Sequence, residues 1–106
     1  MEKIIFKDEI LFYFDELITT LFFEEYFSYA ENAQEFVAKI VDFVINEIHN
    51  FPHKKTPKVL SYLGSNYIFY KSNKRTTWYI FFERKDTDFL ITGISNNHCE
   101  EVKFLQ

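Results

Sequence analysis

The sequence predicts an α+β domain, a helical hairpin packed on one face of a mostly antiparallel sheet, in the order β-α-α-β-β-β. Three observations predict it. Two apolar stripes of helical period fill the first half of the chain. Three strand-like runs separated by two tight turns fill the second half. Charge divides at the same place: residues 1–50 carry eleven acids against three lysines, and residues 51–106 carry nine basic residues against five acids. The length of 106 residues suits a single domain, 1–106.

Taken in order, residues 3–6 read as a short strand that joins the sheet at its far side. Asp8 offers an N-cap for the first helix. Ile10, Leu11, Phe14, Leu17, Ile18 and Leu21 then recur at spacings of three and four, one face of a helix that ends near Tyr26. Ser28 caps the second helix, with Glu31 three residues on completing a capping box. Its stripe is Ala33, Phe36, Val37, Ile40, Val41, Val44, Ile45 and Ile48, expected to lie against the sheet, and Asn50 and Pro52 end it. Residues 52–64 form a loop containing Lys54, Lys55 and Lys58. Strands follow at 67–71, 76–83 and 89–95, separated by the turns Ser72-Asn73-Lys74-Arg75 and Lys85-Asp86-Thr87-Asp88. Trp78, Ile80 and Phe82 alternate with Thr77, Tyr79 and Phe81 along the middle strand. Asn96-Asn97-His98 ends the meander, and the tail at 99–106 has no assigned element.

Composition narrows the function classes. Hydrophobic residues make up 47 % of the chain, ample for a core. Fourteen Phe and seven Tyr exceed what one small core buries, so the surplus is expected on a partner-binding surface or a dimer contact. No apolar run reaches the roughly 18 residues that span a bilayer, so no membrane partner is expected. Acids interrupt the N-terminus where a secretory signal would be apolar, and the single Cys99 has no partner for an internal disulfide. Both features indicate a reducing cytoplasm. The formal net charge of −4 hides a basic stretch, 53–85, where Lys54, Lys55, Lys58, Lys71, Lys74, Arg75, Arg84 and Lys85 face only Glu83. Such a stretch suits a polyanionic partner.

Other chemistries find little support. His49 and His53 are four apart, but Pro52 breaks the helix between them and no cysteine or carboxylate completes a zinc set, so no metal and no other cofactor is expected. The pairs Asp15 with Glu16 and Glu24 with Glu25 point to different helix faces and read as solvated. With two glycines in the chain there is no phosphate-cradling glycine loop, and there is no serine elbow. Trp78, Tyr79 and Tyr70 are candidates for stacking on bases, against the alternative that they pack on helices and strands.

Several stretches carry a family resemblance. Tyr29-Ala30-Glu31-Asn32-Ala33-Gln34-Glu35-Phe36 and Asn46-Glu47-Ile48-His49-Asn50-Phe51-Pro52 mark the start and end of a second helix. Leu63-Gly64-Ser65-Asn66-Tyr67, Thr76-Thr77-Trp78-Tyr79-Ile80-Phe81-Phe82-Glu83 and Ile91-Thr92-Gly93-Ile94-Ser95-Asn96-Asn97-His98 mark the sheet. With the element order and length, these make the chain resemble the RelE/ParE superfamily, the toxins of type II toxin–antitoxin modules. The resemblance implies a toxin neutralised by a cognate antitoxin, as a homodimer or a toxin–antitoxin hetero-oligomer. Its ribonuclease branch implies a metal-independent endoribonuclease, an mRNA interferase acting on mRNA on the ribosome. Its other branch implies a DNA gyrase inhibitor, and a non-catalytic binding module on the same fold is the third alternative. Under the ribonuclease reading, His98 takes part in proton transfer and Arg75 supports the phosphorus oxygens. Lys54, Lys55, Lys74 and Arg84 bind RNA phosphates. Arg75 and Arg84 are expected at opposite ends of the central strand, too far apart to share one phosphate, and Arg75 is preferred because its turn also holds Lys74. The chain departs from the family pattern in having Thr77 and Trp78 where ribonuclease members carry a strand arginine, and His53-Lys54-Lys55 where some carry a glutamate.

Overall fold

The computed structural model describes residues 3–23, 30–72, 74–99, 102 and 105. It is an α+β fold: two helices packed against a five-stranded mixed sheet. The elements are β1 (Ile4–Phe6), α1 (Asp8–Phe23), α2 (Ala30–Glu47), β2 (Lys54–Lys55), a 3₁₀ helix (Lys58–Leu63), β3 (Asn66–Lys71), β4 (Thr77–Lys85) and β5 (Asp88–Asn96). The sheet order is β1-β5-β4-β3-β2. Only β1 against β5 is parallel; the other three pairings are antiparallel. The first strand does lie at the far edge, where Phe89 N donates to Lys3 O (2.8 Å) and Lys7 N donates to Ile91 O (3.2 Å).

The first helix starts one residue earlier than an Asp8 cap requires. The Lys7 carbonyl accepts from Leu11 N (3.2 Å), so Lys7 holds the cap position and Asp8 is the first helical residue. Asp8 and Glu9 still suit the first turn, where unpaired N–H groups favour negative charge. The expected cap at Ser28 and the end of the first helix near Tyr26 lie outside the described residues.

The helices cover one face of the sheet. Ile10 and Phe14 from α1 and Val37, Ile40, Val44 and Ile48 from the α2 stripe meet Ile68, Trp78, Ile80, Phe82, Phe89 and Ile91 from the sheet. Two stripe positions do not follow. Leu11 is 49 % exposed and Ile45 is 45 % exposed. At about 100° per residue, Ile45 lies roughly 100° from the centre of the buried α2 arc, and Leu11 lies at a similar angle from the centre between Ile10 and Phe14. Both fall on the flank of the stripe.

The opposite, outer face of the sheet is covered as well. Tyr67, Tyr79 and Phe81 cluster there with Val102, and Leu63, Phe69, Cys99 and Leu105 pack around them. Covering both faces explains why five consecutive β4 residues, Trp78, Tyr79, Ile80, Phe81 and Phe82, are all buried. Much of the aromatic surplus is used in this second cluster. Among the described residues, Phe12 and Tyr62 are the strongly exposed aromatics.

A β-bulge interrupts the β4–β5 pairing. Phe81 pairs with Gly93 but Phe82 pairs with Ile91, leaving Thr92 as the extra residue on β5. Thr92 Oγ1 donates to Leu63 O (2.6 Å), which ties the end of the 3₁₀ helix to the sheet. Gly64 adopts φ 153°, ψ 155°, and a Cβ there would lie 2.6 Å from Thr92 Oγ1 and 2.8 Å from Phe82 N. A Cβ on Gly93 would lie 2.7 Å from Leu63 O. The chain's two glycines therefore permit the close approach of loop and strand. In the β4–β5 hairpin, Asp86 takes φ 56°, a left-handed conformation that Asp tolerates better than most residues.

Among the described residues, no helix is long and apolar enough to cross a membrane.

Candidate functional site

Strand alternation sorts the basic residues by face. Lys54 pairs with Tyr67, which pairs with Phe81, so Lys54 belongs to the outer face. Its ammonium lies 5.9 Å from the centroid of the Phe69 ring, directed along β3. Lys55 pairs with Asn66, one residue out of phase, and so turns away from that face. The expected partnership of Lys54 and Lys55 at one phosphate site is therefore corrected: the loop forms a short edge strand, and a strand sends neighbours to opposite sides.

Arg84 is also removed from the site. It pairs with Phe89 near the far end of β4, and its guanidinium carbon sits 4.9 Å over the Phe89 ring on the helix side. Seven residues along β4 separate it from Thr77, about 23 Å at strand rise. His49 and His53 pack on the same Phe89 ring, at 5.3 and 5.7 Å. His53 Nε2 lies 2.6 Å from Ile48 O, closing the end of α2. These two histidines support the helix–sheet junction.

His98 and Arg75 lie at the same end of the sheet, linked through Asn97 and Thr76. Asn97 joins the last strand to the 72–76 turn, donating from Nδ2 to Arg75 O (2.9 Å) and accepting at Oδ1 from Thr77 N (2.9 Å). The neighbouring His98 ring places Nε2 3.2 Å from Thr76 Oγ1. Its backbone N–H donates to Asn96 Oδ1 (2.9 Å). The turn is closed by Ser72 N donating to Thr76 O (3.0 Å). The local sequence explains this knot: Asn and Thr side chains bond backbone groups readily where strands end. Lys74, Arg75 and His98 are exposed at this end of the sheet.

Beside them, an open cavity of about 310 Å³ lies on the outer face, lined by Lys54, Tyr67, Phe69, Lys71, Thr77 and Tyr79 and walled by Leu105. Thr77 connects the two features, since it lines the cavity and also bonds Asn97. Burial raises the Tyr67 phenol above its ordinary 10.0, and burial with the neighbouring Tyr67 raises Tyr79. Both therefore stay protonated at neutral pH and act as neutral donors. The stacking candidates separate in turn. Trp78 is buried against Phe36 (6.2 Å), and the half-buried Tyr70 packs on Phe43 (4.9 Å). Tyr79 belongs to the cavity floor. Sequence reading missed Tyr67, Phe69, Lys71 and Leu105 as site residues. The signal for the first three was the period of two from Tyr67, which needs only the knowledge that this face carries the cavity. Leu105 carried no signal, because the tail has no periodic pattern.

Comparison of the chain with protein-family models, with curated proteins and with solved structures found no match.

Proposed function

We propose that the chain is a RelE/ParE-type toxin, a cytoplasmic, metal-independent endoribonuclease that cuts mRNA on the ribosome and is neutralised by a cognate antitoxin. The observation that carries this reading is the juxtaposition at one end of the sheet. A histidine able to exchange protons, His98, is held by Thr76 beside a turn bearing Lys74 and Arg75. The outer-face cavity with Lys54 adjoins it through Thr77. Cleavage of RNA by its own 2′-hydroxyl needs a group to take that proton, cations for the charge on the phosphorus oxygens, and help for the departing 5′-oxygen. His98 suits a proton role, and Arg75, Lys74 and Lys54 suit the charge role. The element order, a strand and two helices before an antiparallel meander, agrees with the resemblance read from the sequence.

One observation favours a second reading, a non-catalytic binding module or gyrase inhibitor on the same fold. Thr77 and Trp78 stand where ribonucleases of the resembled family carry an arginine, and the described residues lining the cavity include none. Induced expression in bacteria, alone and with the adjacent open reading frame, tests the toxin reading. Growth arrest relieved by the neighbour is expected, in a homodimer or a toxin–antitoxin hetero-oligomer. Harmless, monomeric expression at high level contradicts it.

A further inference from the structure

We propose that the outer-face cavity is a phosphoryl-binding site, in which Lys54 and Lys71 hold one phosphate group over the Tyr67 and Tyr79 phenols with the Thr77 hydroxyl beside it. The proposal rests on the RNA-directed reading above and names the substrate group that this part of the surface takes. Lys71 enters through its position, since the sequence alone offers no reason to separate it from the other lysines.

Charge is the first argument. The chain has sixteen acids against twelve lysines and arginines, yet among the described residues the two ionised side chains that line this cavity are both lysines. The next β4 carboxylate on this face, Glu83, lies four residues from Tyr79, about 13 Å along the strand. It is engaged there by Ser65 N at 2.9 Å. Two ammonium groups sharing one cavity repel each other, and an anion between them turns that repulsion into attraction.

Spacing is the second. The Lys54 ammonium lies beside Phe69, and Lys71 is two residues further on the same face, about 7 Å along β3. Phosphate oxygens accept from ammonium groups at about 2.8 Å, so one phosphate spans two flexible lysines at this separation. The floor is the third. Both phenols are neutral at pH 7, as tyrosine ordinarily is, and burial holds them further from ionising, so they add no negative charge. Location is the fourth. Thr77 lines the cavity and its backbone N–H bonds Asn97, so a phosphate bound here lies at the end of the sheet that carries His98.

The phosphoryl group has two sources, a phosphodiester of single-stranded RNA or a free phosphomonoester, and the test separates them. The full-length chain is titrated with inorganic phosphate and with a single-stranded RNA hexanucleotide, following the amide signals of Lys71 and Thr77 by NMR. Both probes are expected to move those signals. Lys71→Met is expected to weaken the hexanucleotide about tenfold, the loss of one charge-assisted contact, while Lys71→Arg restores most of it. Lys71 is exposed, so an unchanged urea midpoint is expected to show that the variants fold. If the hexanucleotide binds Lys71→Met as tightly as the parent, the subsite is overturned and the RNA reading survives. If inorganic phosphate moves the signals while the hexanucleotide does not bind, the subsite stands with a free phosphomonoester as its ligand, and the RNA reading falls. If neither probe moves them, the proposal is overturned.

Discussion

Replacing Gly64 probes how the 3₁₀ helix is held on the outer face of the sheet. At φ 153°, ψ 155° the backbone occupies a region essentially reserved for glycine, which costs another residue about 1–3 kcal/mol. The added methyl also meets Phe82 N at 2.8 Å, in the middle of the sheet, where the backbone has no room to yield. Overpacking of this kind costs about 1–3 kcal/mol. Gly64→Ala should therefore lose about 2–6 kcal/mol in all. Each kcal/mol lowers Tm by roughly 4–8 °C in a domain of about this size. Gly93→Ala meets Leu63 O at 2.7 Å without a strained φ, so it should cost only the overpacking part. Thr92→Val removes the 2.6 Å bond to Leu63 O and should cost about 1–3 kcal/mol, while Thr92→Ser retains the donor. Urea unfolding followed by far-UV circular dichroism, with unchanged slope, measures all four. A Gly64→Ala variant within about 0.5 kcal/mol of the parent would refute the clamp.

Other expectations follow from the same contacts. Ile40 is fully buried between α2 and the sheet, so Ile40→Ala should cost about 2–5 kcal/mol, whereas Ile45→Ala on the flank should cost under about 1 kcal/mol in the same unfolding assay. Stability should fall as pH rises above about 10, because the unfolded tyrosines lose their protons there while folded Tyr67 and Tyr79 retain theirs, and Tyr79→Phe should flatten that decline. Lys54→Gln should weaken RNA binding and reduce its logarithmic salt slope by about 0.7, whereas Lys55→Gln, facing away, should change little; titrations at several salt concentrations read both.

The fold was legible where periodicity is local. The α2 stripe of Val37, Ile40, Val44 and Ile48 needed only the 3.6-residue repeat, and the meander needed only its two turns. Ile45 and Leu11 were overassigned because apolar character was counted without measuring angle from the centre of the arc. The bulge at Thr92 was not legible, since nothing local distinguishes one extra residue in a strand; the pairing of Phe81 and Phe82 creates it. The two-residue strand β2 was equally hidden, and with it the separation of Lys54 from Lys55. The nearness of the His98 and Arg75 segments was legible because both flank the same end of the meander, where consecutive strands return together. Lys71 and Tyr67 needed the knowledge of which sheet face carries the cavity, and that depends on where Leu63, Val102 and Leu105 lie, a long-range fact.

Primer extension on messenger RNA after induction, comparing the parent with His98→Ala, tests the central claim most directly. A general acid–base group contributes about 10²- to 10⁴-fold, so cleavage should be abundant with the parent and nearly absent with His98→Ala, while RNA binding persists. Equal cleavage by both would remove His98 from the mechanism. Absence of cleavage in either, with growth arrest intact, would contradict the ribonuclease account and move the target to another machine such as gyrase.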